Sequence, residues 1–386
     1  MITPALILFW FSFALVAYAY LLYPALLVLA TKLFARPIKR GAFTGSLAVI
    51  VSAHNEESRI ASRRDELLSL LRRTGLSAEL IIVSDGSSDR TADAARGGPN
   101  DPLRIIKLRE NVGKAQALNT AAASATADIL IFADVRQHWA DDAIERLIEN
   151  FADPAIGGVS GDLQLESPEG GNAGVGVYWR YEKAIRKLES RLHSCVGATG
   201  AICAVRRELF RPIPPRTILD DVYWPLNVVL QGRRVIHDGR ARAFDRLPEK
   251  SRDEFRRKVR TLSGNFQLVM RLPQLLLPWS NPIWLQFFSH KLLRLAVPWS
   301  LLLMLILSAL LPGTIYHVLF FAQLAGYLLA LVGANRNVAA RLRLASAASS
   351  FVVLNTAAWV AFWVWITGRS AGSWNKTVYA QPSEQT

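Results

Sequence analysis

Apolar positions along this 386-residue chain fall into two regimes. Residues 4–30 form one uncharged run long enough to cross a bilayer, and comparable runs return at 294–311, 315–334 and 344–367. Between them, short β-rich apolar runs alternate with stretches of helical spacing. The pattern predicts strands at 46–54, 79–84, 103–108 and 128–133, and helices at 56–73, from 91 onward and around 114–125. Strands alternating with helices at this spacing predict an α/β fold, a mostly parallel sheet covered on both faces. Residues 252–275 read as a basic amphipathic helix lying on the bilayer surface. The expected organisation is an N-terminal transmembrane helix (1–34), an α/β domain (45–250), amphipathic interface helices (251–290), C-terminal transmembrane helices (291–368) and a tail (369–386).

Composition agrees with a membrane protein: 51% of residues are hydrophobic and mean hydropathy is +0.20. The opening "MITP" lacks the basic n-region of a signal peptide, which favours a retained span. "TKLFARPIKR" after the first run places the α/β domain on the cytoplasmic side. Continuing the count puts the basic segment 335–343 inside as well. A full crossing by 344–367 then leaves Arg369 and Lys376 outside, against the charge rule, so a re-entrant or interfacial segment stays open there. The net charge of +14 gathers at 32–40, 233–260 and 336–343, beside membrane segments. That distribution fits anionic lipid better than nucleic acid. Arg294 and His317 stand at the ends of their runs, which speaks against a transporter. Cys195 and Cys203 suggest neither a disulfide nor a zinc site.

In open parallel sheets ligands bind beyond the carboxyl ends of the strands. Asn55 and Glu56, Asp85 to Asp89, and Asp134 to Gln137 occupy such positions. "DGSSD" (85–89) serves equally as a turn and helix cap, and "NVGKAQALN" (111–119) as a glycine turn opening a helix. Taken together, Asp85, Lys114 and Asp134 make a charge mix suited to a nucleotide diphosphate and a cation. "GATGAICAVRRELF" (197–210) is a glycine-rich turn that permits close approach to a ligand. Asp220 and Asp221 sit at a helix start, and like charge beside like charge raises one carboxyl toward the range of a general base.

These segments, "VSAHNEE", "VSDGSSDRT", "NVGKAQALN", "FADVRQ", "GATGAICAVRR", "LDDVYWP" and "RKVRTLSG", resemble the family 2 glycosyltransferases in order and spacing over roughly 46–267. The membrane flanks are similar to those of that family's membrane-integrated polysaccharide synthases. The resemblance implies the nucleotide-sugar-binding fold called GT-A. It implies that Glu56 and Asp85 hold the nucleoside, that Asp89 supports their loop and that Lys114 lies near the donor. Asp134 matches the first acid of a metal-binding D-x-D, implying Mg²⁺ or Mn²⁺. Asp221 matches the general base and Asp220 replaces the usual Glu beside it. Gly197, Thr199, Gly200 and Trp224 fall in the acceptor region. Two departures stand out: the second acid of D-x-D is Arg136, and the family's Q-x-x-R-W becomes Arg257-Lys258-Val259-Arg260-Thr261. Arg257 and Arg260 are then expected in the donor site, Arg260 on the diphosphate, while Arg136 either points away from the cation or holds the donor sugar or diphosphate.

The expected function is inverting transfer from a nucleotide-sugar, a UDP-sugar, to a hydroxyl of a glycan or glycolipid at the cytoplasmic membrane face, in polysaccharide or glycolipid synthesis. The partners expected are that donor, the acceptor, membrane lipids and export components, with no nucleic acid. The alternatives are a polyisoprenyl-phosphate glycosyltransferase and a non-catalytic GT-A-like scaffold.

Overall fold

A computed structural model describes residues 2–166, 173–246, 251–335, 338 and 341–368. The strands are β1 (Leu47–Ala53), β2 (Ala78–Ser84), β3 (Leu103–Lys107), β4 (Ile129–Ala133), β5 (His138–Trp139), β6 (Ile156–Glu166), β7 (Ile202–Arg206) and β8 (Arg234–Arg246). They form one sheet in the order β3-β2-β1-β4-β7-β6-β8-β5. The β3-β2-β1-β4 half is parallel, β7 runs antiparallel to β4 and β6, and β6 and β8 are parallel. Every residue of β1 is buried, because both faces of the sheet are covered. Its pleat sends Ala48 and Ile50 into one core with Leu118, Phe132 and Trp224. Leu47, Val49 and Val51 enter the other with Ile60, Leu67 and Ile144.

The covering helices include α3 (Glu57–Arg73), α4 (Thr91–Ala94), α5 (Lys114–Ser124), α6 (Ala143–Ile148), α7 (Ala173–Leu192), α8 (Asp220–Leu230) and α9 (Ser251–Arg271). The helix expected from residue 91 is a single turn. The basic helix expected over 252–275 ends at Arg271, since Pro273 lacks the N–H to continue it. Nor does it only lie on the surface. Phe266 stacks on Trp365 at 5.1 Å, and Gly264 abuts Leu219 so closely that a Cβ there would lie 2.6 Å from it.

Among the described residues, four helices are long and apolar enough to cross a membrane: Thr3–Phe34, Trp284–Leu310, Thr314–Gly333 and Arg343–Ile366. The first comprises α1 (Ile2–Ala17), a π-turn (Tyr18–Leu22) and α2 (Tyr23–Phe34). The second comprises α10 (Trp284–Phe287), a π-turn (Phe288–Leu292) and α11 (Leu293–Leu310). Then follow α12 (Thr314–Gly333) and α13 (Arg343–Ile366). The boundary expected at 290/291 falls inside the second span, so Arg294 stands within it rather than at its edge. The expected tail, with Arg369 and Lys376, lies outside the described residues, as do 336, 337, 339 and 340 of the basic segment.

Arg294 is tolerated at that depth because α7 brings acids to it. Glu182 pairs with Arg294, and Glu182 Oε2 lies 2.9 Å from His290 Nε2. His290 Nδ1 lies 2.9 Å from Glu189 Oε1, which also accepts the Tyr23 hydroxyl at 2.6 Å. Tyr18 Oη and Ser289 Oγ, 2.9 Å apart, join the two π-turns. Burial alone would raise the Glu182 carboxyl, but Arg294 and His290 outweigh it and hold it well below the usual carboxylate range. This polar knot fastens the α/β domain to the first two spans. Removing one member of a buried pair strands the other charge at a cost of about 3–5 kcal/mol. Glu182→Ala is therefore expected to lower stability by about 3 kcal/mol, read as a fall in melting temperature in detergent, and an unchanged melt would refute the pairing.

Candidate active site

Beyond the carboxyl ends of β1, β2 and β4 three loops meet. Asp85, fully enclosed after β2, accepts the backbone N–H groups of Val112 at 2.8 Å and Gly113 at 2.9 Å. A buried carboxylate needs such donors. Asp85 thus braces the 111–114 loop, where the sequence predicts a nucleoside contact. Gly86, at φ +58°, lets the two loops touch: a Cβ there would lie 2.2 Å from Asn111 N. Asn55 Oδ1 accepts Ser88 N at 2.8 Å, and Glu56 N donates to Thr91 Oγ1 at 2.8 Å. Asp89 accepts Thr91 N at 3.0 Å and Glu57 N at 3.3 Å, closing the loop on α3 and α4. Glu56 is half-buried at the crevice rim, 3.7 Å from Arg59.

The centre of the crevice is a charge cluster. Lys114, the first residue of α5 after Gly113 (φ +87°), places Nζ 2.7 Å from Asp134 Oδ1 and 3.7 Å from Asp220 Oδ2. Burial would lower the lysine pKa, but Asp134, Asp220 and Asp221 together raise it, so the ammonium stays charged. Asp221, in the first turn of α8, is pushed up to about 6, first by burial and then by Asp220, against the pull of Lys114, Arg186 and Lys291. Gly200 packs between them. A Cβ there would lie 3.4 Å from Asp221 Oδ2 and 3.6 Å from Lys114 Nζ.

On its other side Asp221 lines a pocket of about 110 Å³ with Arg186, Gly197, Thr261, His290 and Lys291. Thr199 sits beside it, its N–H on Ser160 Oγ at 2.9 Å and its Oγ1 accepting Arg186 Nη1 at 3.2 Å. Sequence motifs gave no hint of Arg186, His290 or Lys291, because α7 and the second span carry no family signature. Trp224, expected at the acceptor, is 2% exposed and packs on Phe132 beneath α8, where a bulky ring fills the core. Arg257 and Arg260 are exposed on α9, within the helical turn before Thr261, which lines the pocket. Arg136 is held bidentately by Asp245, Nε to Oδ1 at 3.0 Å, with Gln137 on the same carboxylate.

Among the described residues no three His, Cys, Asp or Glu side chains cluster as a metal cage. The Asp134 carboxylate is nonetheless 34% exposed toward the crevice. One carboxylate completed by substrate phosphates is a donor set that suits Mg²⁺ or Mn²⁺.

Residues 48–213 match the family model described as Glycosyl transferase family 2. The poly-beta-1,6-N-acetyl-D-glucosamine synthase of Staphylococcus aureus is 26% identical over 238 residues, 58% of this chain and 56% of the synthase. The chain thus matches little more than half the length of that curated relative. A dolichyl-phosphate beta-glucosyltransferase of Drosophila melanogaster is 39% identical over 97 residues, 23% of this chain and 30% of that protein. In structure, the mannosyltransferase PcManGT of Pyrobaculum calidifontis, solved with GDP-Man and Mn²⁺, superposes with a TM-score of 0.70 at 22% identity. That match covers 94% of this chain and 99% of the other, so the shared fold extends beyond the sheet to the helices that flank it.

The Asp85 brace is testable without turnover. Asp85→Asn turns an amide NH₂ toward one of two buried N–H groups, and an unsatisfied buried donor costs about 1–3 kcal/mol. Stability measured by denaturant unfolding is expected to fall by that amount, and unchanged stability would contradict the bracing role.

Proposed function

We propose, from the premise that this membrane-integrated chain belongs to the family 2 glycosyltransferases and has a GT-A fold, that it is an inverting transferase. It moves a sugar from a nucleotide-sugar, a UDP-sugar, to a hydroxyl of a glycan or glycolipid acceptor. The reaction takes place at the cytoplasmic membrane face, in polysaccharide or glycolipid synthesis. The observation that carries this reading is Asp221. It stands between the Lys114–Asp134 cluster on one side and a pocket on the other, with a carboxyl poised near neutrality.

In this reaction the acceptor hydroxyl gives its proton to the Asp221 carboxylate as its oxygen attacks the anomeric carbon. The bond from that carbon to the diphosphate oxygen breaks, and the nucleoside diphosphate leaves with the electron pair. Lys114 holds positive charge beside the leaving group, where fixed charge in a closed site contributes most to rate. A divalent cation on Asp134 would add Lewis-acid stabilisation of the diphosphate. Gly200 leaves room for the sugar to approach both groups. A phosphate acceptor, already anionic, needs no base, so the raised Asp221 favours a hydroxyl.

Asp221→Asn is expected to lower kcat by about 10²–10⁴-fold while UDP binding, followed by calorimetry, is retained; Asp220→Asn should cost far less. The base must be ionised, so kcat/KM is expected to fall as pH drops through about 6. Removing the like charge in Asp220→Asn should move that limb to lower pH. An acid limb that stays in place in Asp220→Asn, or full turnover by Asp221→Asn, sinks the assignment. Chelation is expected to abolish turnover of the wild type. Asp134→Ala should leave a residue that added Mn²⁺ does not raise, in assays of nucleoside diphosphate release from UDP- and GDP-sugars.

A further inference from the structure

The turn that leads into α8, residues 213–219, is gripped from two sides. Ile213 is held by α5, the helix that Lys114 opens. Gln116 Nε2 at 2.9 Å and Asn119 Nδ2 at 2.8 Å donate to its carbonyl, and its N–H donates to Asn119 Oδ1 at 2.8 Å. The remainder is held by α9. Gln267 Nε2 donates to the Arg216 carbonyl at 2.9 Å, and Gln267 Oε1 accepts the Ile218 N–H at 3.0 Å. Arg271 donates to the carbonyls of Pro214 at 3.2 Å and Pro215 at 2.8 Å, and also to the Thr217 hydroxyl.

The backbone between these grips is strained. Among the described residues only Asn55 and Arg216 are non-glycine positions with positive φ, and Arg216 stands at +58°. Asparagine visits the left-handed region readily, whereas a side chain such as arginine is disfavoured there. Such a conformation persists only where its surroundings over-determine it, and it gathers at functional sites. Here the surroundings are Gln267 on the Arg216 carbonyl and Arg271 on the residues just before it. The strain sits five positions before Asp221. Between them, the Leu219 carbonyl accepts the N–H groups of Val222 at 3.3 Å and Tyr223 at 2.9 Å, which starts α8. The grip is itself seated on the membrane part, because Phe266, the neighbour of Gln267, stacks on Trp365 of α13.

We infer that Gln267 and Arg271 are positioning residues for the transfer: they hold the strained 214–219 turn in the setting that brings the start of α8, and with it Asp221, against Lys114. This rests on the transferase reading above and adds to it the residues that set its base. Neither side chain touches substrate. Both act through the backbone of the turn, so their loss displaces the base without removing any reacting group.

The test uses the full chain in detergent and sets the grip against the strain. Gln267→Leu is expected to lower kcat about tenfold to a hundredfold, the scale of a small misplacement of a catalytic group, with UDP affinity unchanged. Hydrogen exchange at the Val222 and Tyr223 amides is expected to quicken, because an ungripped Arg216 relaxes out of the left-handed region. Arg216→Asn alone should leave kcat and exchange near wild type. Combined with Gln267→Leu it should recover most of both, since asparagine keeps the turn in place without the grip. A brace that only stabilised the fold would give no such recovery. Arg271→Lys, which cannot serve three acceptors as the guanidinium does, provides the same comparison should Gln267→Leu fail to fold. Equal kcat losses in the single and double variants, or unchanged exchange in the single variant, overturn the inference. So does quickened exchange with unchanged kcat. Absent turnover by the wild type fails the transferase reading alone, because the exchange changes and their reversal by Arg216→Asn are read without it.

Discussion

The crevice is organised around a charge balance. One lysine, Lys114, answers three carboxylates, Asp134, Asp220 and Asp221. Its position opposes a rule of helix electrostatics, since a cation in the first turn of α5 faces the positive end of the dipole. The acids offset that cost, and two of them occupy the first turn of α8, where the dipole favours them. Three elements must therefore end at one place: the strand that delivers Asp134, the glycine turn before Lys114, and the start of α8. The Asp85 brace and the Gly86 close approach serve this convergence by fixing the 111–114 loop.

The second organising contact is between α7 and the membrane helices. Acids on α7 permit His290 and Arg294 inside an apolar span, and that span in turn presents Lys291 to the pocket. Buried charge is expensive unless paired, so the cluster is demanding of geometry. Glu182, Glu189, His290, Arg294 and Tyr23 keep the bonds they make to one another only if α7 and the first two spans hold their relative positions.

Much of this was legible in the chain. Alternating apolar runs located the parallel strands within a residue or two, because a doubly covered strand is apolar on both faces. The placement of Asp134, Lys114 and Asp221 beyond strand or at helix ends followed from the same topology. The effect of Asp220 on Asp221 was also visible from adjacency, although burial, the larger cause, was not. What stayed hidden depends on tertiary partners. Helix α7 mixes charges with apolar residues, and only its contact with the spans shows that Glu182 and Glu189 point inward. Arg136 reads as a lost metal ligand until Asp245, more than a hundred positions on, closes on it. Trp224 falls in the acceptor region by its motif, yet core packing holds it, and the Asp85 carboxylate turns inward to backbone donors.

One wall of the pocket belongs to a helix that also crosses the bilayer. Membrane helices respond to hydrocarbon thickness by tilting, and the cost is a fraction of a kcal/mol per ångström of mismatch. In the Trp284–Leu310 helix, tilt would carry Lys291 and His290 with it, while Asp221 stays with the sheet. The dimensions of the pocket beside Asp221 are thereby tied to the thickness of the surrounding membrane, which makes the bilayer itself a determinant of the site's shape.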